Sequence, residues 1–470
     1  MVTTGEKRGF RKTFIGDKAF YRMVLAVAIP IMIQNGITNF VGLLDNIMIG
    51  RIGTEQMSGA AIVNQLLFVY NLCIFGGVSG AGIFTAQYFG QKDHEGVRQT
   101  FRYKLWLAVL LTFLTSALFI TSGTSLIGMY LKGEGGTEAI LATSRYGMQY
   151  LYIMLLGLPP FMLVQVYSST LRECGETVIP MKAGVAAVII NLVFNYLLIY
   201  GKLFFPAMGV KGAAIATVFS RYVEVAIVLV WTHRHSEENP FVKGLYSTLK
   251  VPMNLTKKII IKGTPLLINE TLWAAGMAIL AQCYSVRGLN VVAGLNISNT
   301  INNVFNIVFI ALGDSVAIIV GQILGSGDMK KARDTDNKMI AFSVFCCMWV
   351  ALIMFLFAPV FPKLYNTSAD AKVIARNLIM TAAAFMPFQA FLHSAYFTLR
   401  SGGKTIITFL FDSVFMWCVS VPVAFCLSHF TNIPVVGVFA MVQAADNANC
   451  IVGFILIKKG VWLQNIVSES

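Results

Sequence analysis

Residues 27–53 read VAIPIMIQNGITNFVGLLDNIMIGRIG, an apolar run that carries a proline, a polar pair and a single carboxylate. Pro30, Gln34, Asn35 and Asp45 stand where hydrocarbon would be expected. A soluble helix tolerates such residues at little cost. In a membrane a central Asp costs about 2.5–3.5 kcal/mol on insertion scales, so its retention points to a function. The same opening returns 235 residues later, where Pro265 stands for Pro30 and Asn269-Glu270 for Gln34-Asn35.

The composition supports a membrane reading of that run. The chain has 470 residues, 56% of them hydrophobic and 12% charged, with a mean hydropathy of +0.70. These values describe a polytopic membrane protein embedded in a lipid bilayer. The net charge of +14 does not indicate a nucleic-acid partner, because Lys and Arg lie in short segments between apolar runs and form no basic face interleaved with aromatics. The eight cysteines show no CxxC spacing and no nearby His at ligand spacing, so they read as small buried hydrophobes and no metal site is expected. The basic first twenty residues precede an apolar run that continues into a repeat unit, and no cleaved signal peptide is expected.

Apolar runs long enough to span fall near 23–49, 57–83, 102–122, 140–165, 178–201, 209–232, 259–284, 291–320, 339–358, 374–398, 405–428 and 435–457. Pro30, Pro159-Pro160, Pro265, Pro387 and Pro422 interrupt them and predict kinks. Assigning connections to alternate sides puts 25 of the 36 Lys and Arg residues on the side shared with the termini and 7 opposite. Both termini are therefore expected in the cytoplasm. The longest polar connection, 233–258, separates six runs from six.

The repeat extends well beyond its opening. At the shift of 235, Gly59, Asn64, Asn71, Gln87, Gly90, Asp93 and Arg98 match Gly294, Asn299, Asn306, Gln322, Gly325, Asp328 and Arg333. At a shift of 228, Thr170-Leu171-Arg172-x-x-Gly175-x-Thr177 recurs as Thr398-Leu399-Arg400-x-x-Gly403-x-Thr405. One nearly constant shift across several helices indicates a duplication. The expectation is an all-α membrane protein of twelve transmembrane helices in two six-helix lobes. Because six is even, both copies enter the membrane in the same sense, with the lobes related by an axis along the membrane normal. The boundaries follow: a cytoplasmic segment 1–22, a first lobe 23–232, a cytoplasmic linker 233–258, a second lobe 259–458 and a cytoplasmic tail 459–470.

Several of these segments resemble the multidrug and toxic compound extrusion (MATE) family, within the wider group that also contains lipid-linked oligosaccharide flippases. The resemblance rests on Asp45-x-x-x-x-Gly50-x-x-Gly53, Gln87-x-x-Gly90, Val320-Gly321-Gln322-x-x-Gly325-x-Gly327 and the two Leu-Arg-x-x-Gly segments. It rests also on Asn191-x-x-x-Asn195-Tyr196 and the small-residue run after Gly209-Val210, and it covers residues 20 to 458. It implies a transporter that alternates between inward-facing and outward-facing states and exports cationic or amphipathic compounds against H⁺ or Na⁺.

The candidate cation-coupling residues are Asp45, Glu270, Asn191, Asn195, Gln389 and Asp446. In the proton-coupled branch of the resembled family, an Asp at the Asp45 position takes up the proton near polar groups on the fifth helix, where Asn191 and Asn195 stand one turn apart. A carboxylate moved between dry and wet surroundings changes its hold on a proton, as a carrier must. The alternative is an Asp that only caps the outer end of the first helix. Each lobe has one acid of its own, since Asn35 stands opposite Glu270 and Leu280 opposite Asp45. The sodium-linked branch pairs the Glu with an Asp eleven residues before the Leu-Arg arginine; here that position is Gln389, a neutral amide. Glu270 reads either as a cation or substrate site or as a buried, hydrogen-bonded structural acid. Asp314 and Asp446 are further acids inside second-lobe runs, while Asp412, soon after Lys404, is expected to order the connection between the tenth and eleventh helices. Arg221 and Glu224 are one turn apart and expected to neutralise each other.

The candidate substrate-cavity residues are Gln34, Asn35, Asn64, Asn269, Asn296, Asn299, Asn303, Asn306, Trp273 and Met277. Asn296, Asn299, Asn303 and Asn306 repeat at three, four and three, placing four amides on one helix face, either lining a cavity or bonding to neighbouring helices. Phe68, Tyr70, Phe75, Trp273, Met277 and Tyr284 stand at helical spacing, as adaptable binding residues or as packing. Gly76, Gly77, Gly80 and Gly82 read as close helix packing.

A secondary antiporter that exports small molecules, with no cofactor beyond the coupling ion, is therefore the expected function, and a monomer the expected state. A flippase for a lipid-linked precursor is the alternative, though it should surround its cavity with Arg and Lys, whereas these helices carry mainly acids and amides. An enzyme is not expected, since neither Asp45 nor Glu270 has a His, nucleophilic Ser or metal cluster beside it. Gly403-Lys404-Thr405 lacks the first glycine of a phosphate-binding loop, where Thr398 stands, and so does not indicate nucleotide binding.

Overall fold

The computed structural model describes residues 13–131 and 137–468, apart from the side chains of 41–43, 45–47 and 137. These residues form helices joined by short turns, with no strand among them. In chain order the helices are α1 (Lys18–Gly50), α2 (Thr54–Gly90), α3 (His94–Tyr130), α4a (Thr137–Leu155), α4b (Leu158–Glu173), α5 (Val178–Tyr200) and α6 (Val210–Arg234). After the 3₁₀ turn Pro240–Val242 come α7 (Met253–Ser285), α8 (Leu289–Gly325), α9 (Met329–Phe357), α10 (Ala369–Ser401), α11 (Thr405–Phe430) and α12 (Val435–Lys459).

Eleven of these helices are long and apolar enough to cross a membrane, and the pair formed by α4a and α4b, bent by 49°, makes a twelfth span. The run read as a single helix over 140–165 is thus broken. Pro159 and Pro160 can only open a new helix, because they lack the N–H that would continue the old one. Several helices outrun their apolar cores: α2, α3 and α8 have 37 residues each, about 55 Å at the α-helical rise against a hydrocarbon layer of about 30 Å. The extra turns carry Gln87, Gly90, Gln322 and Gly325. Helix α11 is α-helical at its ends and π-helical over Leu410–Val414 and Met416–Ser420, just before Pro422, whose missing donor leaves the preceding turn without its usual bond.

The described chain divides into two compact units. One comprises Met1–Met32, Ala86–Asp93 and Thr264–Ser470; the other comprises Ile33–Thr85 and His94–Gly263. The divisions within α1 and α7 fall beside Pro30 and Pro265, the prolines that the repeat makes equivalent.

In the unit containing the C-terminal half of the chain, Val24, Ala28 and Ile31 of α1 share a core with Leu312, Val316 and Ile319 of α8, Met339 of α9 and Leu399 of α10. The ends of α2 and α8 meet reciprocally. Gly90 lies on the backbone of Gln322 and Gly325 on that of Gln87, with no room for a Cβ at either. A residue pair that contacts itself in this crossed sense is the mark of a local two-fold relation, here between the two copies of Gln-x-x-Gly. Gln87 is held as well: its Nε2 donates to the Ser401 carbonyl at 2.9 Å and its Oε1 accepts from the Ile466 N–H at 2.8 Å.

The other unit packs small residues at its helix crossings, as the glycine cluster predicts: Gly80 lies on Gly263 and Gly59 on Gly147, backbone against backbone. The connection after α6 is docked on α3. Arg98 Nε donates to the Phe241 carbonyl at 3.1 Å, Arg102 Nε to Leu245 at 2.9 Å and Trp106 Nε1 to Leu249 at 3.0 Å.

Candidate functional site

Helix α7 presents Asn269 and Glu270 one turn beyond Pro265, and Asn269 organises what surrounds them. The Asn269 side chain is buried. Its Nδ2 donates to Asp412 Oδ2 at 2.8 Å and to the Tyr396 hydroxyl at 3.3 Å. Its Oδ1 accepts from the Ser413 hydroxyl at 2.7 Å and from the Ser413 N–H at 3.3 Å. One amide thereby ties α7 to α10 and to the π-helical part of α11. A π turn adds a residue to the ring closed by the backbone bond, rotating Asp412 and Ser413 out of the α-helical phase.

Glu270 hydrogen-bonds with Tyr396 and interacts electrostatically with Arg400, Asp412 and Asp314. Tyr396 also bonds with Arg400, whose guanidinium lies over the Phe397 ring at 5.2 Å from its centroid. Helix α12 adds Asp446, which accepts from the Ser420 hydroxyl and lies within electrostatic reach of Asp412. Four acids are thus linked: Glu270 lies within electrostatic reach of Asp314, Asp412 and the Arg400 guanidinium, and Asp412 within reach of Asp446. Linked acids in poorly solvated surroundings are suited to exchanging positive charge, whether a proton, a monovalent metal ion or an organic cation. Among the described residues no group of three His, Cys, Asp or Glu side chains is arranged to hold a metal ion.

Asp412 corrects the sequence reading. It belongs to this cluster through Asn269 and does not serve the connection between α10 and α11. Asp314 and Asp446 join the cluster as well, whereas Gln389 donates Nε2 to Gln443 Oε1 at 3.0 Å, an amide pair between α10 and α12. Trp273 and Met277, further along α7, are exposed. Asn296, Asn299 and Asn303 form an exposed row on α8, with Asn306 half-buried below them. Of the six aromatic and methionine positions, Tyr70 and Tyr284 are buried packing residues, and Phe68, Phe75, Trp273 and Met277 are exposed.

In the other unit, Asn191 and Asn195 are buried on α5. Asn195 Nδ2 donates to Asn191 Oδ1 at 3.0 Å, and Asn191 Nδ2 to Thr217 Oγ1 of α6 at 3.1 Å. Gln34 is half-buried against Gly184, Asn35 is half-buried, and Asn64 is exposed and accepts from the Tyr150 hydroxyl at 3.2 Å. The Asp45 side chain lies outside the described residues. Arg221 and Glu224 form the expected ion pair at 2.9 Å.

Arg102 and Lys104 of α3 are both buried, and the Lys104 ammonium pairs with Glu173 and donates to Thr170 Oγ1 at 3.1 Å. The available signal was the repeated Thr-Leu-Arg motif, whose threonine receives that charge.

The MatE family model matches this chain twice, over residues 30–197 and 265–426. The chain belongs to the MatE family. The two matches begin at Pro30 and Pro265, the positions from which the shift of 235 was read. Similar proteins include the probable multidrug resistance protein NorM of Thermotoga maritima, 26% identical over 94% of this chain and 93% of that protein. The multidrug resistance protein PmpM of Pseudomonas aeruginosa is also 26% identical, over 87% of this chain and 84% of its own length. Among solved structures, the D35N mutant of the Vibrio cholerae MATE transporter VcmN superposes with a TM-score of 0.84 at 15% identity, covering 94% of this chain and 97% of that one. This MatE protein is therefore a multi-pass membrane transporter and not an enzyme.

Proposed function

We propose that this MatE protein is an antiporter of the cytoplasmic membrane, with both termini in the cytoplasm, that exports small cationic or amphipathic compounds in exchange for H⁺ or Na⁺. The observation that carries the reading is the group of linked acids around α7, where Glu270 lies within electrostatic reach of Asp314, Asp412 and the Arg400 guanidinium, and Asp412 within reach of Asp446. The names of the relatives and the asymmetric distribution of Lys and Arg support it.

Asn269 fixes Asp412, whereas Glu270 has the Arg400 guanidinium as its counter-charge, beside Tyr396. Glu270 is the acid left to trade its counter-charge. Binding of the coupling ion and binding of a cationic compound then compete for the same negative potential, and each shifts the conformational equilibrium by its differential affinity for the two states. The exposed faces bearing Trp273, Met277 and Asn296 offer adaptable apolar and amide contacts for the compound's body. Asp45 is proposed as the coupling acid of the first half, with the buried Asn191 and Asn195 of α5 as its polar partners.

Uptake into inverted vesicles under an imposed proton or sodium gradient tests the proposal. Glu270→Gln is expected to abolish gradient-dependent uptake, and the gradient that drives the natural chain identifies the ion. Asp45→Asn reports separately on the first half. Undiminished uptake by both variants would overturn the mechanism.

A further inference from the structure

Helix α9 contains an acid that the cluster at α7 does not use. Asp336 is completely buried two turns into α9, and its Oδ1 lies 2.6 Å from the Thr398 hydroxyl of α10. Its Oδ2 is buried with no hydrogen-bond partner among the described residues. Two further hydroxyls buried on these helices, Ser394 one turn from Thr398 and Ser343 two turns from Asp336, are in the same condition.

Among the described residues, the charged side chains on the elements around Asp336 are engaged elsewhere or face out. On α9 itself, Lys338 binds Asp334 at 2.6 Å and Arg333 packs on Gly460. On α10, Arg400 is taken by Tyr396 and Glu270, while the His393 ring packs on Phe309 and Gly313 and its buried Nε2 has no hydrogen-bond partner among the described residues. On α8, Asp314 belongs to the Glu270 cluster. Helix α1, which reaches α9 through the Tyr21–Phe342 ring contact, has Lys18 and Arg22 exposed.

The first copy of the repeat sharpens the contrast. There the equivalent threonine, Thr170, receives Lys104, and that charge is cancelled by Glu173. Thr398 receives an acid that has no ion-pair partner among the described residues. An unbalanced carboxylate in this setting is far more costly than an apolar residue or an ion pair, so its presence calls for an occupant that neutralises it.

We propose that Asp336 and Thr398 form a second proton-binding site, separate from the Glu270 cluster, whose occupant is exchanged during the transport cycle. The bonding pattern points to a proton. The Thr398 hydroxyl has one hydrogen and two acceptors in reach, the Ser394 carbonyl at 2.9 Å and Asp336 Oδ1 at 2.6 Å. With the carboxyl protonated, Asp336 donates to Thr398 and Thr398 donates to the Ser394 carbonyl, so every short contact holds a hydrogen. On release, the proton leaves to water and the Thr398 hydrogen turns to Oδ1. A hard metal cation would need several more oxygens than one carboxylate and one hydroxyl supply.

The exchange during transport rests on the antiporter reading, but the binding of the proton does not, and the test separates them. Infrared difference spectra of the purified full chain between acid and alkaline pH, in H₂O and D₂O, read the carboxyl C=O stretch directly. A band is expected that vanishes in Asp336→Asn, moves in Thr398→Val and persists in Glu270→Gln. Spectra of Asp336→Asn that superimpose on those of the natural chain would overturn the site, as would a band that follows sodium concentration at fixed pH. If Asp336→Asn does not fold, the Thr398→Val shift decides in its place. In proteoliposomes, Asp336→Asn is expected to move one proton fewer per exported molecule, whereas Glu270→Gln stops export altogether. An unchanged proton count with the infrared band lost would refute the exchange during transport and leave a site that titrates outside the cycle.

Discussion

Replacing Asn269 by Ala should loosen the second-half site more than any other single change to a neutral side chain. The amide makes four hydrogen bonds, two through Nδ2 to Asp412 and Tyr396 and two through Oδ1 from Ser413. Side-chain hydrogen bonds inside membrane proteins average about 0.6 kcal/mol each, while one to a charged acceptor is worth about 1.5–3 kcal/mol. Loss of all four, with Asp412 and the Ser413 N–H left buried and unmet, should destabilise the fold by about 3 kcal/mol. That corresponds to about a 100-fold change in the unfolding equilibrium. Unfolding of the purified protein in mixed micelles measures it, and a double-mutant cycle with Ser413→Ala isolates the shared part, expected at about 1 kcal/mol. The reasoning fails if Asn269→Ala unfolds within about 0.5 kcal/mol of the natural chain, or if the two substitutions are simply additive.

Further outcomes follow from other contacts. Gly90→Ala should prevent the crossed packing of the two Gln-x-x-Gly segments and sharply lower the yield of folded protein, while Gly128→Ala, with open space around it, should leave the yield unchanged; fluorescence-detected gel filtration reads both. Lys104→Met leaves Glu173 without its partner and should cost about 3–5 kcal/mol, most of it recovered by the double change Lys104→Met with Glu173→Gln; a thermal-shift comparison of the three proteins decides it. Arg102→Ala removes the donors to the Leu245 and Gly244 carbonyls and should expose the connection after α6 to protease, with new cleavage between residues 243 and 250 detected by mass spectrometry.

Much of the molecule was decided locally and could be read from the chain alone. Whether a run of twenty residues enters hydrocarbon depends on its own side chains, and a duplication leaves its shift in the order of residues whatever the fold. The twelve spans, the pairing of Pro30 with Pro265 and the membership of Glu270 in a polar site came from the residues in this way. The broken fourth span was half visible in Pro159-Pro160, although the size of its bend was not. Tertiary structure decided what depends on rotational phase and on partners distant in sequence. Asp412 looked like a surface residue because it follows Lys404 closely, yet the π-helical turns of α11 rotate it onto Asn269, 143 positions earlier. Lys104 and Asp336 stand near the polar ends of their runs, where the sequence gives no sign of burial. Only the long helices that carry those ends into packed seams give each a threonine from the same repeated motif, one with a counter-charge and one without.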